Sequence, residues 1–146
     1  MQVARFRSDA ALRKRLWTPE AFAHPAKANL YMMQAIVERY TQPGDWILDP
    51  MAGVGSTLIA ALMGRNVIAV EKETHFLEPM AASWEKMQAH PMLGFPTGQV
   101  AILQGDARDL SWLDGVDAVA FSPPYADSPV AQSSDGEANR RFKAGR

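Results

Sequence analysis

The chain has 146 residues, 47% of them hydrophobic, with no cysteine and a formal net charge of −1. That length and apolar content suffice for one domain with its own core. The composition excludes disulfides, thiolate-bound zinc, a cysteine nucleophile and a globally basic nucleic-acid binder, and no metal site is expected. No apolar run reaches membrane-spanning length, and no apolar stretch of the signal-peptide type follows the basic N-terminus. The expectation is a soluble, cytoplasmic protein without a membrane partner.

The charge is uneven. Residues 1–16 carry Arg5, Arg7, Arg13, Lys14 and Arg15 against Asp9, a net +4, while residues 126–146 carry a net +1, so the stretch between them is −6. Basic ends can contact phosphates, although solvated termini show the same pattern, and for the tail the solvated reading is preferred. Residues 8–16 read as a short basic helix with Ser8 as a possible cap. Trp17-Thr18-Pro19-Glu20 reads as a break. After His24-Pro25-Ala26-Lys27, a helix from Ala28 to Tyr40 is marked by Leu30, Met33, Ile36, Val37 and Tyr40 at three- and four-residue spacing. The turn residues Gln42 to Asp45 end it.

A first strand, Trp46–Asp49, runs into Asp49-Pro50-Met51-Ala52-Gly53-Val54-Gly55-Ser56-Thr57 and then a helix, Ser56–Met63, closed by Gly64. A second strand covers Val67–Glu71. A long helix spans about Thr74 to Ala89, with Pro79 either in its first turn or shifting its start. A third strand, Val100–Leu103, leads into Gln104-Gly105-Asp106, and residues 107–113 form a short helical or looped link. A fourth strand, Asp117–Phe121, ends at Ser122-Pro123-Pro124-Tyr125. Residues 126–146 are small, polar and charged, and read as disordered or an open loop. The expected organisation is a basic segment (1–16), a domain (17–125) and a tail (126–146). Trp46, Trp84 and Trp112 read as core or rim packing.

The alternation of strand and helix from residue 46 predicts an α/β domain with a mainly parallel sheet. Ligands of such sheets bind beyond the carboxyl ends of the strands. Asp49, Glu71, Asp106 and Ser122 each stand at or just past such an end, so four strands deliver polar groups to one rim. The paired Gly53 and Gly55 let backbone approach a ligand closely. No lysine precedes Ser56, which argues against a Walker loop, and Leu58 stands where a dinucleotide fingerprint wants its third glycine. Glu71 suits a ribose, and Asp106 with the Ala107 N–H suits an adenine edge. An adenosine carrying something other than phosphates fits this rim. Two successive prolines stiffen the segment at Ser122. Its hydroxyl and the Pro123 carbonyl can accept from an amine with two N–H groups, and Tyr125 can stack on a base.

The glycine turn together with Ser122-Pro-Pro-Tyr125 resembles the S-adenosylmethionine-dependent amino-methyltransferases of nucleic-acid bases. His24-Pro25-Ala26-Lys27 is similar to the further cofactor motif that these enzymes place ahead of the turn in this order of motifs. The resemblance covers roughly residues 17–125 and implies a Rossmann-like methyltransferase sheet, apparently incomplete at about four strands, as in an N-terminal part. It implies S-adenosylmethionine as cofactor, bound by Lys27, Asp49, Ala52, Gly53, Gly55, Ser56, Thr57, Glu71, Asp106 and Ala107. It implies Ser122, Pro123, Pro124 and Tyr125 as the catalytic segment, with Asp49 orienting the turn. Serine at the head of that segment is the form seen especially in DNA cytosine-N4 enzymes of restriction–modification systems. DNA is the implied partner; tRNA guanine-N2 methylation and a catalytically inactive cofactor-binding fragment are the alternatives. Cytosine-C5 methylation and zinc-dependent deamination are excluded by the lack of cysteine. The fourth strand would leave an apolar edge open to a complementing chain or a second copy.

Overall fold

The computed structural model describes residues 4–23 and 27–123. Four strands, β1 (Trp46–Asp49), β2 (Asn66–Glu71), β3 (Val100–Gln104) and β4 (Ala118–Val119), form one sheet in the order β3-β2-β1-β4. All pairings are parallel. The chain steps outward from β1 to β2 to β3, then returns to pair β4 on the other side of β1. The strand order therefore reverses between β1 and β4, and in open parallel sheets the crevice at such a reversal is where ligands bind. β4 is shorter than the expected Asp117–Phe121. Its ladder nonetheless extends on both sides, since Asp117 N–H donates to Trp46 O at 2.9 Å and Ala120 N–H to Leu48 O at 3.0 Å. β4 is an edge of the described sheet, with Val119 and Phe121 exposed.

Among the described residues four α-helices accompany the sheet: α1 (Ala10–Leu16), α2 (Leu30–Tyr40), α3 (Ile59–Leu62) and α4 (Thr74–Gln88). α2 starts where Asn29 caps it, its side chain accepting from Met32 N–H at 3.0 Å. It turns Leu30, Met33 and Val37 inward. The expected single helix from Ser56 is a 3₁₀ turn, Ser56–Leu58, followed by α3, with Gly64 at φ +83° closing it. Every residue of α3 is buried, as an element apolar all round requires. α4 is continuous through Pro79, and the Pro79 carbonyl accepts from the Ser83 hydroxyl at 2.7 Å. The core joins these faces to Ile47, Val67 and Ala69 of the central strands and to Met80 and Met87 of α4.

Three further sequence expectations change. α1 begins at Ala10 with Asp9 at its N-cap, and Ser8 is reduced to a 3.4 Å contact from the Ala10 N–H. The segment read as a break after it is core: Trp17 has 0% exposure, and a 3₁₀ helix, Pro19–Ala23, follows. A bulky aromatic ring directly after the buried Leu16 gains more by packing than a linker position allows. Trp112, read as core or rim, is exposed, its indole N–H donating to Asp109 O at 3.1 Å. Among the described residues no helix is long and apolar enough to cross a membrane. Residues 126–146 lie outside the described residues.

Candidate active site

The glycine turn leaves β1 at Asp49 and is held from three sides. On the first side, Asp49 is buried, its Oδ1 accepting from Met51 N–H at 3.1 Å and its Oδ2 from the Thr57 hydroxyl. Burial, reinforced by the charge of Glu71, pushes this carboxyl up to about 6 against the hydrogen bonds from Thr57 and Met51. Asp49 and Thr57 thus brace the two ends of the turn against each other, with the Thr57 hydroxyl directed inward.

On the second side, β2 grips the turn. Ala52 N–H donates to Val70 O at 3.0 Å, and Gly53 N–H donates to Glu71 Oε2 at 2.6 Å. Glu71 Oε1 accepts from Glu73 N–H at 2.8 Å. Gly53 and Gly55 adopt φ +57° and +80°, the left-handed region that side chains with a Cβ disfavour. A Cβ on Gly55 would also stand 2.8 Å from Leu58 Cδ1 and 2.9 Å from Met80 Cγ. The glycine is therefore required by packing below the turn as well as by its φ.

The third side is the N-terminal helix, and its residues were not singled out from the sequence. Arg13 is buried, its Nη1 donating to Ser56 Oγ at 3.2 Å and its Nη2 to Asp9 Oδ2 at 2.9 Å and Ala28 O at 2.7 Å. Trp17 donates its indole N–H to Val54 O at 2.9 Å, and the Arg13 guanidinium lies 5.2 Å from its ring centroid. Asp9, Arg13 and Trp17 stand at four-residue spacing, so one side of α1 reaches both the turn and the segment before α2. That spacing was the available signal. Lys27 belongs to the same corner, its Nζ donating to Phe22 O at 3.0 Å. Burial first, then the charge of Arg13, lowers its pKa, with Asp9 opposing. His24, Pro25 and Ala26 lie outside the described residues.

Asp106 follows β3 on the same rim. Arg108 covers it, with Nε to Oδ1 at 2.9 Å, Nη2 to Oδ2 at 2.6 Å and the backbone N–H to Oδ1 at 3.0 Å. These contacts, with Lys72 at 3.6 Å, hold the carboxyl well below its usual range. A carboxylate accepts about four hydrogen bonds, so Arg108 leaves Asp106 room for one strong contact. Ala107 follows directly, half-buried.

Ser122 and Pro123 are exposed just past β4. The register pairs Ile47 with Ala118 and Leu48 with Val119. Counted onward in parallel, Ser122 comes level with Met51. The serine-proline segment and the glycine turn thus leave neighbouring strands at the same end of the sheet, one on each side of the strand-order reversal. Pro124 and Tyr125 lie outside the described residues.

The DNA methylase family model (the N6/N4 methyltransferase group) matches residues 6–83, from the N-terminal segment through the turn and into α4. The chain belongs to the DNA methylase family. It is 33% identical over 100 residues to a tRNA (guanine(10)-N2)-dimethyltransferase of Methanothermobacter thermautotrophicus, covering 68% of this chain and 26% of that protein. It is 41% identical over 63 residues to the type II methyltransferase M2.MboI of Moraxella bovis, covering 42% of this chain and 23% of that protein. The chain thus spans about a quarter of the length of these curated relatives. Among solved structures, a putative methyltransferase from Porphyromonas gingivalis matches with a TM-score of 0.56 at 17% identity, over 80% of this chain and 30% of that one. A putative S-adenosyl-L-methionine-dependent methyltransferase from Methanococcus maripaludis matches with a TM-score of 0.53 at 15% identity, over 98% and 61%. The fold of this chain is therefore the Rossmann-like methyltransferase fold. The cofactor of the family is S-adenosylmethionine, and the donor set suits it: Glu71 retains acceptor capacity on both oxygens beyond its two backbone bonds.

Proposed function

We propose that this methylase transfers a methyl group from S-adenosylmethionine to an exocyclic amine of a DNA base, with cytosine N4 as the foremost target. The observation that carries the reading is the common rim: the glycine turn after β1 and Ser122-Pro123 after β4 flank the strand-order reversal. When bound, the cofactor would supply a methyl group on an electrophilic sulfonium, with S-adenosylhomocysteine as the leaving thioether and the surplus amine proton passing to water. Glu71 accepts from the ribose hydroxyls while keeping its grip on Gly53, and Asp106 with the Ala107 N–H meets the adenine edge. Gly53 and Gly55 bring backbone close to the middle of the ligand, beside the braces formed by Asp49, Thr57 and Ser56.

The amine of a base is a weak nucleophile because its lone pair is delocalised into the ring. Ser122 Oγ and the Pro123 carbonyl accept from its two N–H groups, which favours a pyramidal nitrogen whose lone pair is free of the ring. A proline at 124 fixes its own φ and removes a donor, and an aromatic residue at 125 is of the type that stacks on an extruded base. The chain's contribution is then positioning and electrostatics for an in-line displacement.

The test is transfer of labelled methyl groups to duplex DNA, followed by base analysis. It is run on the chain alone and together with a complementing polypeptide that supplies the remainder of a relative. Label on cytosine N4 is the expected result, and no label on DNA in either arm refutes the reading. The identity to the tRNA guanine-N2 enzyme over 68% of the chain favours a second reading, methylation of a tRNA guanine, and label confined to a tRNA arm would select it. Cofactor binding with no turnover in any arm, unchanged by Ser122→Ala, would mark a catalytically inactive cofactor-binding fragment.

A further inference from the structure

A protein that works on DNA must meet a polyanion, and most of this chain is poorly charged for that. Residues 17–125 carry a net −6. Their basic groups are largely engaged. Arg65 is buried against Thr41 and the Met63 carbonyl, Arg108 and Lys72 face Asp106, and Lys86 donates to the Lys14 and Trp17 carbonyls.

Residues 1–16 are the reverse. Their one acid, Asp9, is paired with their one buried base, Arg13. The net +4 of this segment therefore resides on Arg5, Arg7, Lys14 and Arg15, all exposed. None of these four takes part in an ion pair among the described residues.

The segment is also fixed in place. Asn29 donates to the Arg7 carbonyl at 2.9 Å, and the Arg7 guanidinium lies 4.2 Å from the Tyr31 ring centroid. α1 is tied to the glycine turn through Arg13 to Ser56 and Trp17 to Val54. A charge held this way is in constant register with the rim where the base would be presented. Phosphate contacts of this kind set orientation along a duplex without reading its sequence.

We propose that Arg5, Arg7, Lys14 and Arg15 form the surface that contacts the phosphate backbone of duplex DNA, held in register with the glycine turn by Arg13 and Trp17. The inference rests on the DNA reading above and adds the face on which the duplex lies. Four phosphate contacts give a slope of about −3.6 in log K against log salt, so affinity for a duplex falls about 150-fold between 50 and 200 mM salt.

The experiment is anisotropy of a labelled 20-base-pair duplex titrated with the full chain across that salt range. The variants are R5Q/R7Q, K14Q/R15Q and the combination of all four. Each pair is expected to reduce the slope by about 1.8, and the combination to make binding nearly independent of salt. Unchanged thermal midpoints and unchanged cofactor binding identify variants that are folded, and the triple R5K/R7K/R15K variant, which keeps the charge, is expected to bind like the parent. A folded four-residue variant with parental affinity and slope overturns the proposal while leaving the DNA reading intact. A parent chain that binds no duplex at any salt overturns both. Loss that appears on tRNA and not on duplex DNA overturns the choice of partner.

Discussion

Replacing Arg13 by methionine keeps most of the side-chain volume and removes the guanidinium. Asp9 Oδ2, Ala28 O and Ser56 Oγ each lose a donor, and Asp9 keeps the Leu30 N–H at 2.9 Å. Breaking a buried ion pair by removing one partner costs about 3 to 5 kcal/mol. Asp9 is partly open to water, so the low end applies, about 3 kcal/mol. For a chain of this size that is roughly 8 to 12 °C in midpoint. Thermal and urea unfolding read it directly. The double variant D9N/R13M separates the pair from the packing: with the unpaired charge gone, it should recover 1 kcal/mol or more, roughly, relative to R13M. The pH dependence has a defined sign as well. Burial alone would raise the Asp9 pKa, but the Leu30 N–H and Arg13 lower it overall. Asp9 therefore contributes stability above its unfolded pKa that is lost as pH falls through the lowered folded value, and R13M should lose most of that dependence. An R13M chain within 0.5 kcal/mol of the parent (roughly the scale of a neutral surface change), or a double variant no more stable than R13M, would refute the reasoning.

Other outcomes follow from the same geometry. Asp49 has its pKa raised to about 6, so the sign is opposite: its stabilising effect is complete near pH 4, is lost as pH rises through 6, and amounts to at most about 3 kcal/mol. D49N should flatten a stability profile measured across that window. Gly98→Ala places a Cβ 1.7 Å from the Arg65 carbonyl oxygen, which is backbone and cannot swing aside. A loss of about 3 kcal/mol or more, or no folded protein, is expected in circular dichroism melts. Glu71→Gln sets an amide where two N–H groups now donate, and should weaken binding of the demethylated cofactor about 10- to 100-fold by calorimetry. Ser122→Ala should lower transfer to the base while leaving cofactor binding within about twofold.

The sheet was legible from the sequence because its inner strands are short apolar runs closed by an acid or a glycine turn. Trp46–Asp49 came out to the residue, and β2 and β3 differ from expectation by one residue each. β4 was harder: its hydrogen-bonded core is two residues long, and local pattern does not register where a ladder with β1 begins. The rim was legible for the same reason as the strands, since a residue at a strand's carboxyl end is placed by topology alone. Which other groups those side chains hold was not. Glu71 reads as a ribose acceptor, yet half its capacity holds Gly53 and Glu73, and Asp106 reads as open to adenine, yet Arg108 covers most of it. Such local pairings depend on distances of a few tenths of an ångström that no spacing rule conveys. The N-terminal grip on the turn was missed because Trp17 precedes Thr18-Pro19, and a proline so close reads as the end of structure rather than as a helix handing a tryptophan to the core.

We propose that this rim binds S-adenosylmethionine through Glu71 and the glycine turn. Calorimetric titration of the chain with the cofactor, beside Glu71→Ala and Gly55→Val, addresses it most directly. One molecule bound per chain, with both variants at least tenfold weaker, is the result the account expects. No heat of binding at millimolar cofactor from a chain that melts cooperatively, or equal binding by a folded Glu71→Ala variant, would contradict it.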